Sequence, residues 1–151
     1  RACPHRAMIR HKGSQMPTDA GPTTLETHAA WVLLIAFALS LIYELWRATA
    51  KAGVSRHDSM RIFLTQGAVL YGSAAIVIAL LFLEVGGAVW IGLLYSVLLI
   101  MVSIFYYNPT IMIERNPGLI DWFENLVYTG LLFVAAALLL YEVMGMQLVA
   151  P

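Results

Sequence analysis

Charge is scarce in this sequence. Only 12% of the 151 residues are Asp, Glu, Lys or Arg, about half the load of a soluble domain. The nine basic and nine acidic residues cancel, so no basic surface points to nucleic acid as a partner. Cysteine is nearly absent. A single residue, Cys3, excludes an internal disulfide and any cysteine-based metal cluster. The four histidines, His5, His11, His28 and His57, lack the clustering of a metal site and the matched depths a bundle-bound haem would need. No nucleophile, base or phosphate-loop motif is present, so no enzyme activity, cofactor or metal is expected.

Hydrophobic residues, by contrast, make up 60% of the chain. Charges are missing from 62–83, 85–113 and 125–141, and Glu44 is the only one between His28 and Trp46. A hydrocarbon layer about 30 Å thick is crossed by about 20 apolar residues in a helix. The expected fold is therefore an all-α integral membrane protein, a four-helix antiparallel transmembrane bundle. Its spans are placed at about 27–47, 62–83, 88–107 and 119–144, within a membrane domain covering 27–146. Trp31, Tyr43, Trp46, Trp90, Tyr106 and Tyr107 fall near span ends, where headgroups favour such rings.

Residues 1–26 are polar and read as a disordered tail. Arg1, Arg6, Arg10 and Lys12 occupy its first 15 residues without an acid, and no Lys or Arg then appears before Arg47. The break suggests Met16 as the natural start, with 1–15 not native; a genuine basic tail is the alternative. No apolar leader segment occurs in 1–27.

Turn chemistry delimits the rest. Thr27 can cap the first span, and Glu84-Val85-Gly86-Gly87 makes a tight turn between spans two and three. Asn108-Pro109 is expected to end span three, and Asn116-Pro117 to cap span four, because the residue before proline avoids helix and proline suits a first helical position. From Leu119 the pattern is amphipathic. Leu119, Ile120, Trp122, Phe123, Leu126 and Val127 share one side, and Asp121, Glu124 and Asn125 the other, the mark of a segment entering through the interface.

Orientation follows from the basic residues after Met16. Arg47, Lys51, Arg56 and Arg61 flank the first loop, and Arg115 lies in the third. Loops 48–61 and 108–118 are thus expected in the cytoplasm, with both termini outside a multi-pass protein of the cell membrane. A weak internal repeat suggests a duplicated two-helix hairpin. Gly72–Gly87 matches Gly130–Gly145 at seven of sixteen positions, ending in Ala-Leu-Leu-x-x-Glu-Val-x-Gly; the alternative is chance similarity between Ala- and Leu-rich helices.

Ionisable groups inside a membrane usually mark function, but none lies at mid-span. Glu44 is expected to pair with Arg47 three residues on, and Glu84, Glu124 and Glu142 to anchor at the interface. Small residues are the expected packing faces: Ala68, Gly72, Ala75 and Ala79 in span two, Gly92, Ser96 and Ser103 in span three, Ala29, Ala36 and Ser40 in span one, and Gly130 and Ala137 in span four.

The candidate polar cluster is Gln66, Tyr71, Tyr95, Ser96, Ser103 and Tyr128. At 1.5 Å per residue, Gln66 lies about 5 Å from the boundary, Ser103 about 6 Å and Tyr128 about 9 Å. The preferred reading is interhelical glue, with Gln66 bonded to Ser103 or Tyr128; the alternative is a polar-lined cavity. In size and four-span plan the chain resembles the small multidrug exporters. That family's carboxylate well inside the first span has no counterpart, since Glu44 sits near the span's end, so the resemblance implies architecture alone. The function expected is a non-enzymatic subunit or scaffold in the lipid bilayer, packing with itself or a larger membrane partner. The alternative is a small transporter or channel acting as an oligomer.

Overall fold

A computed structural model of the chain describes residues 24–145. Met16, Cys3, His5, His11 and the rest of the expected tail up to residue 23 lie outside the described residues, as do 146–151. Over the described residues the chain is all-helical, with four helices long and apolar enough to span a membrane.

Helix α1 runs Thr24–Ala50. It starts three residues before the expected Thr27, so residues 24–26 belong to the helix and not to a tail. Glu26 then falls in the first turn and Arg47 in the last, each sign where the helix dipole favours it. Helix α2 runs Met60–Phe82 behind the cap Ser59, whose hydroxyl accepts from the Ile62 N–H at 3.3 Å. The turn to α3 holds Glu84 at φ 52° and Gly87 at φ 89°, a conformation that a Cβ disfavours.

The third span differs from expectation. Helix α3, Ala88–Val102, does not end at Tyr107 but continues as a π-helical stretch over Ser103–Met112 with Pro109 inside it. Proline lacks an N–H and its ring collides with the carbonyl four residues back in an α-helix; the wider π turn carries the chain past that clash. Such turns usually appear singly and at functional sites. Helix α4, Leu119–Val143, is capped by Gly118 and not by Asn116. Asn116 instead adopts φ 50°, and the Gly118 N–H donates to Asp121 Oδ2 at 2.7 Å.

Helix α1 packs against α2 and α4, and α3 against α4 and α2. At the end away from the 51–59 loop, the core is Ala29, Ala30, Leu33, Leu81, Ala88, Leu132, Ala135 and Leu139. Gly92 sits at its tightest point: a Cβ there would lie 3.1 Å from Leu139 Cδ1 and 3.2 Å from Leu81 Cδ1. At the offset of 58, Leu81 falls opposite Leu139, and the buried residues Ala74 and Val77 fall opposite Leu132 and Ala135. The two aligned segments also end on a left-handed glycine, Gly87 and Gly145. Midway along, Phe37 meets the rings of Tyr71, Tyr95 and Tyr128 at 5.8–6.3 Å between centroids.

Two expected packing faces are reversed. Ala68, Gly72, Ala75 and Ala79 of α2, and Gly130 and Ala137 of α4, are exposed. The small residues of α1, α3 and the start of the π-helical stretch are the buried ones: Ala29, Ala36, Ser40, Gly92, Ser96 and Ser103. Small side chains on one helix suffice for close approach when the facing helix supplies leucines, as at Gly92.

Candidate functional site

The end of the molecule bearing the 51–59 and 113–118 loops is built on charge. Arg47, 1% exposed, grips Asp58 through two nitrogens, Nε to Oδ1 at 3.0 Å and Nη2 to Oδ2 at 2.7 Å. Its Nη1 donates to Asp121 Oδ1 at 2.8 Å, which also accepts from the Tyr43 hydroxyl. Lys51 Nζ reaches Asp121 Oδ2 at 3.5 Å. The expected Glu44–Arg47 pair is therefore absent: Arg47 turns toward α4 and the first loop, where two carboxylates offer planar, bidentate partners.

Glu44 is taken by Arg115 instead, at 2.7 and 3.0 Å through its two terminal nitrogens. The Tyr107 hydroxyl accepts from Arg115 at 2.8 Å and donates to Glu44 at 3.3 Å, a placement that the π-helical stretch provides. Arg115 Nε lies 3.2 Å from Asp58 Oδ1 without the alignment of a hydrogen bond. Burial opposes the charge on Arg115, but the bonded Glu44 carboxylate more than offsets it and holds its proton more tightly than in an ordinary arginine. Arg47, Lys51 and Arg115 thus balance Glu44, Asp58 and Asp121, three charges against three. The outermost pair, Arg56 to Glu114 at 2.8 Å, is exposed.

Beside this network lies a cavity of about 260 Å³. It opens where α2, packed on α3, has little contact with the π-helical stretch. Gln66, Tyr71, Ser103 and Tyr128 line it, together with Glu44, Phe63, Tyr106, Tyr107, Arg115, Glu124 and Asn125. Four of the six polar residues singled out in the sequence thus meet at one place. Tyr95 and Ser96 are elsewhere. The Tyr95 hydroxyl pairs with Ser73 Oγ at 2.9 Å and donates to Leu70 O at 3.2 Å; Ser96 Oγ donates to Gly92 O in its own helix at 2.8 Å.

Gln66 makes no hydrogen bond to Ser103 or Tyr128. It is exposed at the cavity mouth, and Ser103 pairs with Thr129 across to α4 at 2.9 Å. Tyr71 shares a hydrogen bond with Ser40 at 3.3 Å. Glu124 and Tyr128 line both the cavity and a smaller groove of about 160 Å³ with Leu39, Phe123 and Val127.

The sequence reading missed Glu124 as a cavity group and the ionic partners beneath it. A signal was available in the amphipathic start of α4. Its apolar side faces outward, with Leu119 87% exposed, while Asp121 and Asn125 are buried. Polarity that turns inward and apolarity that turns outward invert the arrangement of a water-soluble helix. Among the described residues no three His, Cys, Asp or Glu side chains gather to hold a metal ion. Compared with protein-family models, curated proteins and solved structures, the chain matches none.

Proposed function

We propose that this chain is a four-span antiparallel membrane bundle whose polar cavity admits a small water-soluble ligand or ion, a small transporter or channel without a catalytic step. The carrying observation is the cavity itself, which reaches Gln66, Tyr71 and Tyr128 and leaves Gln66 unbonded. Glue would have joined Gln66 and Tyr128 to neighbouring helices, as Ser40 of α1 joins Tyr71. Large apolar side chains on the outward faces of all four helices, among them Ile42, Val69, Leu94 and Phe133, suit contact with lipid. The basic residues in and beside the 51–59 and 113–118 loops favour a cytoplasmic position for both in a cell-membrane protein, with the cavity opening on that side.

A second reading, a non-enzymatic subunit or scaffold that packs with itself or a larger membrane partner, is favoured by the outward stripe of Ala68, Gly72, Ala75 and Ala79. Small residues of this spacing let helices approach closely in lipid.

Single cysteines at residues 55, 66 and 87, made as Ser55→Cys, Gln66→Cys and Gly87→Cys in a Cys3→Ala background, test the first reading. With a membrane-impermeant thiol reagent, Gln66→Cys should label from the same side as Ser55→Cys, and Gly87→Cys only from the other. A Gln66→Cys protein inert from both sides, while Ser55→Cys reacts, would leave the cavity closed and the scaffold reading standing.

A further inference from the structure

We infer that the cavity binds a small organic cation, an ammonium group with alkyl substituents, using Glu124 as counter-ion and tyrosine and phenylalanine rings as walls. This assignment rests on the cavity reading above and narrows it to one ligand chemistry. The argument begins with the charges. Arg115 and Glu44, both at the cavity wall, neutralise each other through two hydrogen bonds. Asp58 and Asp121 are consumed by Arg47, Arg115 and Lys51. Glu124 is left over. It lines the cavity, is half-buried, and has neither an ion pair nor a hydrogen bond among the described residues. A carboxylate set among rings without a partner is costly; its own proton or a bound cation relieves that cost, and in a cavity open to dissolved ligands a cation can take the proton's place.

The remaining wall decides what kind of cation fits. Phe63, Tyr71, Tyr106 and Tyr128 contribute four rings, and aromatic faces attract cations, alkylated ammonium groups in particular. Tyr107 already does so within the protein, its ring centroid 5.7 Å from the Arg115 guanidinium carbon. Among the described residues no three His, Cys, Asp or Glu side chains gather to hold a bare metal ion. A volume of about 260 Å³ suits a ligand of a few heavy atoms to about a dozen, near the lower limit of small-molecule sites. An anion would meet the unpaired Glu124, while the guanidinium in the lining, Arg115, is held by Glu44 and the imidazole, His57, faces Glu114 at 3.6 Å.

The test uses the full chain in detergent micelles, with choline as the cationic probe and 3,3-dimethylbutan-1-ol as its uncharged isostere, titrated by calorimetry. Choline should bind, and Glu124→Gln should weaken it roughly tenfold or more, the loss of about 1.4 kcal/mol of electrostatic attraction. The alcohol should bind far more weakly to both proteins. Melting curves of Glu124→Gln close to the parent would exclude unfolding, and Tyr128→Leu, which removes a ring without touching the charge, should weaken choline independently. Equal affinity for choline and the alcohol would overturn the cation assignment while leaving a ligand cavity. Choline binding that ignores Glu124→Gln would overturn it as well. No binding of either probe to a protein whose Gln66→Cys variant labels readily would overturn the assignment but not the open cavity; failure of that labelling would strike the cavity reading itself.

Discussion

The two ends of this molecule are held together by different physics. At the end with the short 83–87 turn, Leu81 and Leu139 close on Gly92, and of the five buried charged residues described only Glu26 lies there. At the other end, Arg47 and Arg115 tie α1, the first loop, the third loop and α4 through six close oxygen contacts to Glu44, Asp58 and Asp121. Apolar interlocking tolerates change in small steps, because neighbours can shift by fractions of an ångström. A buried ionic network does not, since removal of one member strands the others. The difference also explains where the cavity lies. Directional bonds fix the helix ends without filling the space between them, whereas close packing leaves no room.

The first way to break this comparison is Arg47→Met. It leaves Asp58 and Asp121 buried with reduced compensation and should cost about 3–5 kcal/mol, enough to unfold much of the population in a denaturant titration in micelles. Lys51→Met is its control. Lys51 is 34% exposed on its side chain and reaches Asp121 at 3.5 Å, so its loss should fall within about 1 kcal/mol. Similar midpoints for the two variants would show that the network is not the organising element of this end.

The apolar end is sharpened by Gly92→Val. A Cβ alone meets Leu139 and Leu81 at 3.1–3.3 Å, and a branched side chain must displace both, a cost of about 1–3 kcal/mol. Gly72→Val introduces the same side chain at an exposed helical glycine with nothing within 4 Å of its Cβ. The difference between the two melting curves isolates the packing term from the intrinsic helix preference. If both variants melt alike, Gly92 is not the contact point described above.

Both ends were unequally legible in the sequence. Span positions emerged to within a few residues because long uncharged runs have few other uses, and the Glu84–Gly87 turn because glycine and a short linker force one. Packing direction was harder. Ala68 and Gly72 carry the same spacing whether they face protein or lipid, and only the leucines opposite Gly92 decide the matter. Pro109 misled because its effect depends on whether the helix can widen, which Tyr107 and its partners Glu44 and Arg115 reward here. The ionic pairs were least legible. Arg47 has Glu44 three residues away, a partner visible in one dimension, yet its actual partners are 11 and 74 residues distant. Glu124 was placed on the correct face of its helix and assigned to the wrong surroundings, since periodicity shows which residues share a side but not what that side meets.

The smallest expected effect belongs to the middle of the molecule, where neither mechanism dominates. Ser73 Oγ and the Tyr95 hydroxyl are 2.9 Å apart, and that hydroxyl also donates to Leu70 O at 3.2 Å. Ser73 Oγ also lies 2.9 Å from the same carbonyl, so the two hydroxyls share two protons over three contacts. Ser73→Ala removes one member of this three-way contact but leaves Tyr95 a partner, so no buried polar group is stranded. Interhelical hydrogen bonds between membrane helices average about 0.6 kcal/mol, and the substitution should cost that or less in the same denaturant titration. Tyr95→Phe, which deletes both contacts of the ring hydroxyl while keeping the ring beside Phe37, should cost slightly more and still remain below Gly92→Val. If Ser73→Ala instead approached the loss set by Arg47→Met, the middle would have to be counted with the charged end as a continuous polar core, and the division between two ends would fail.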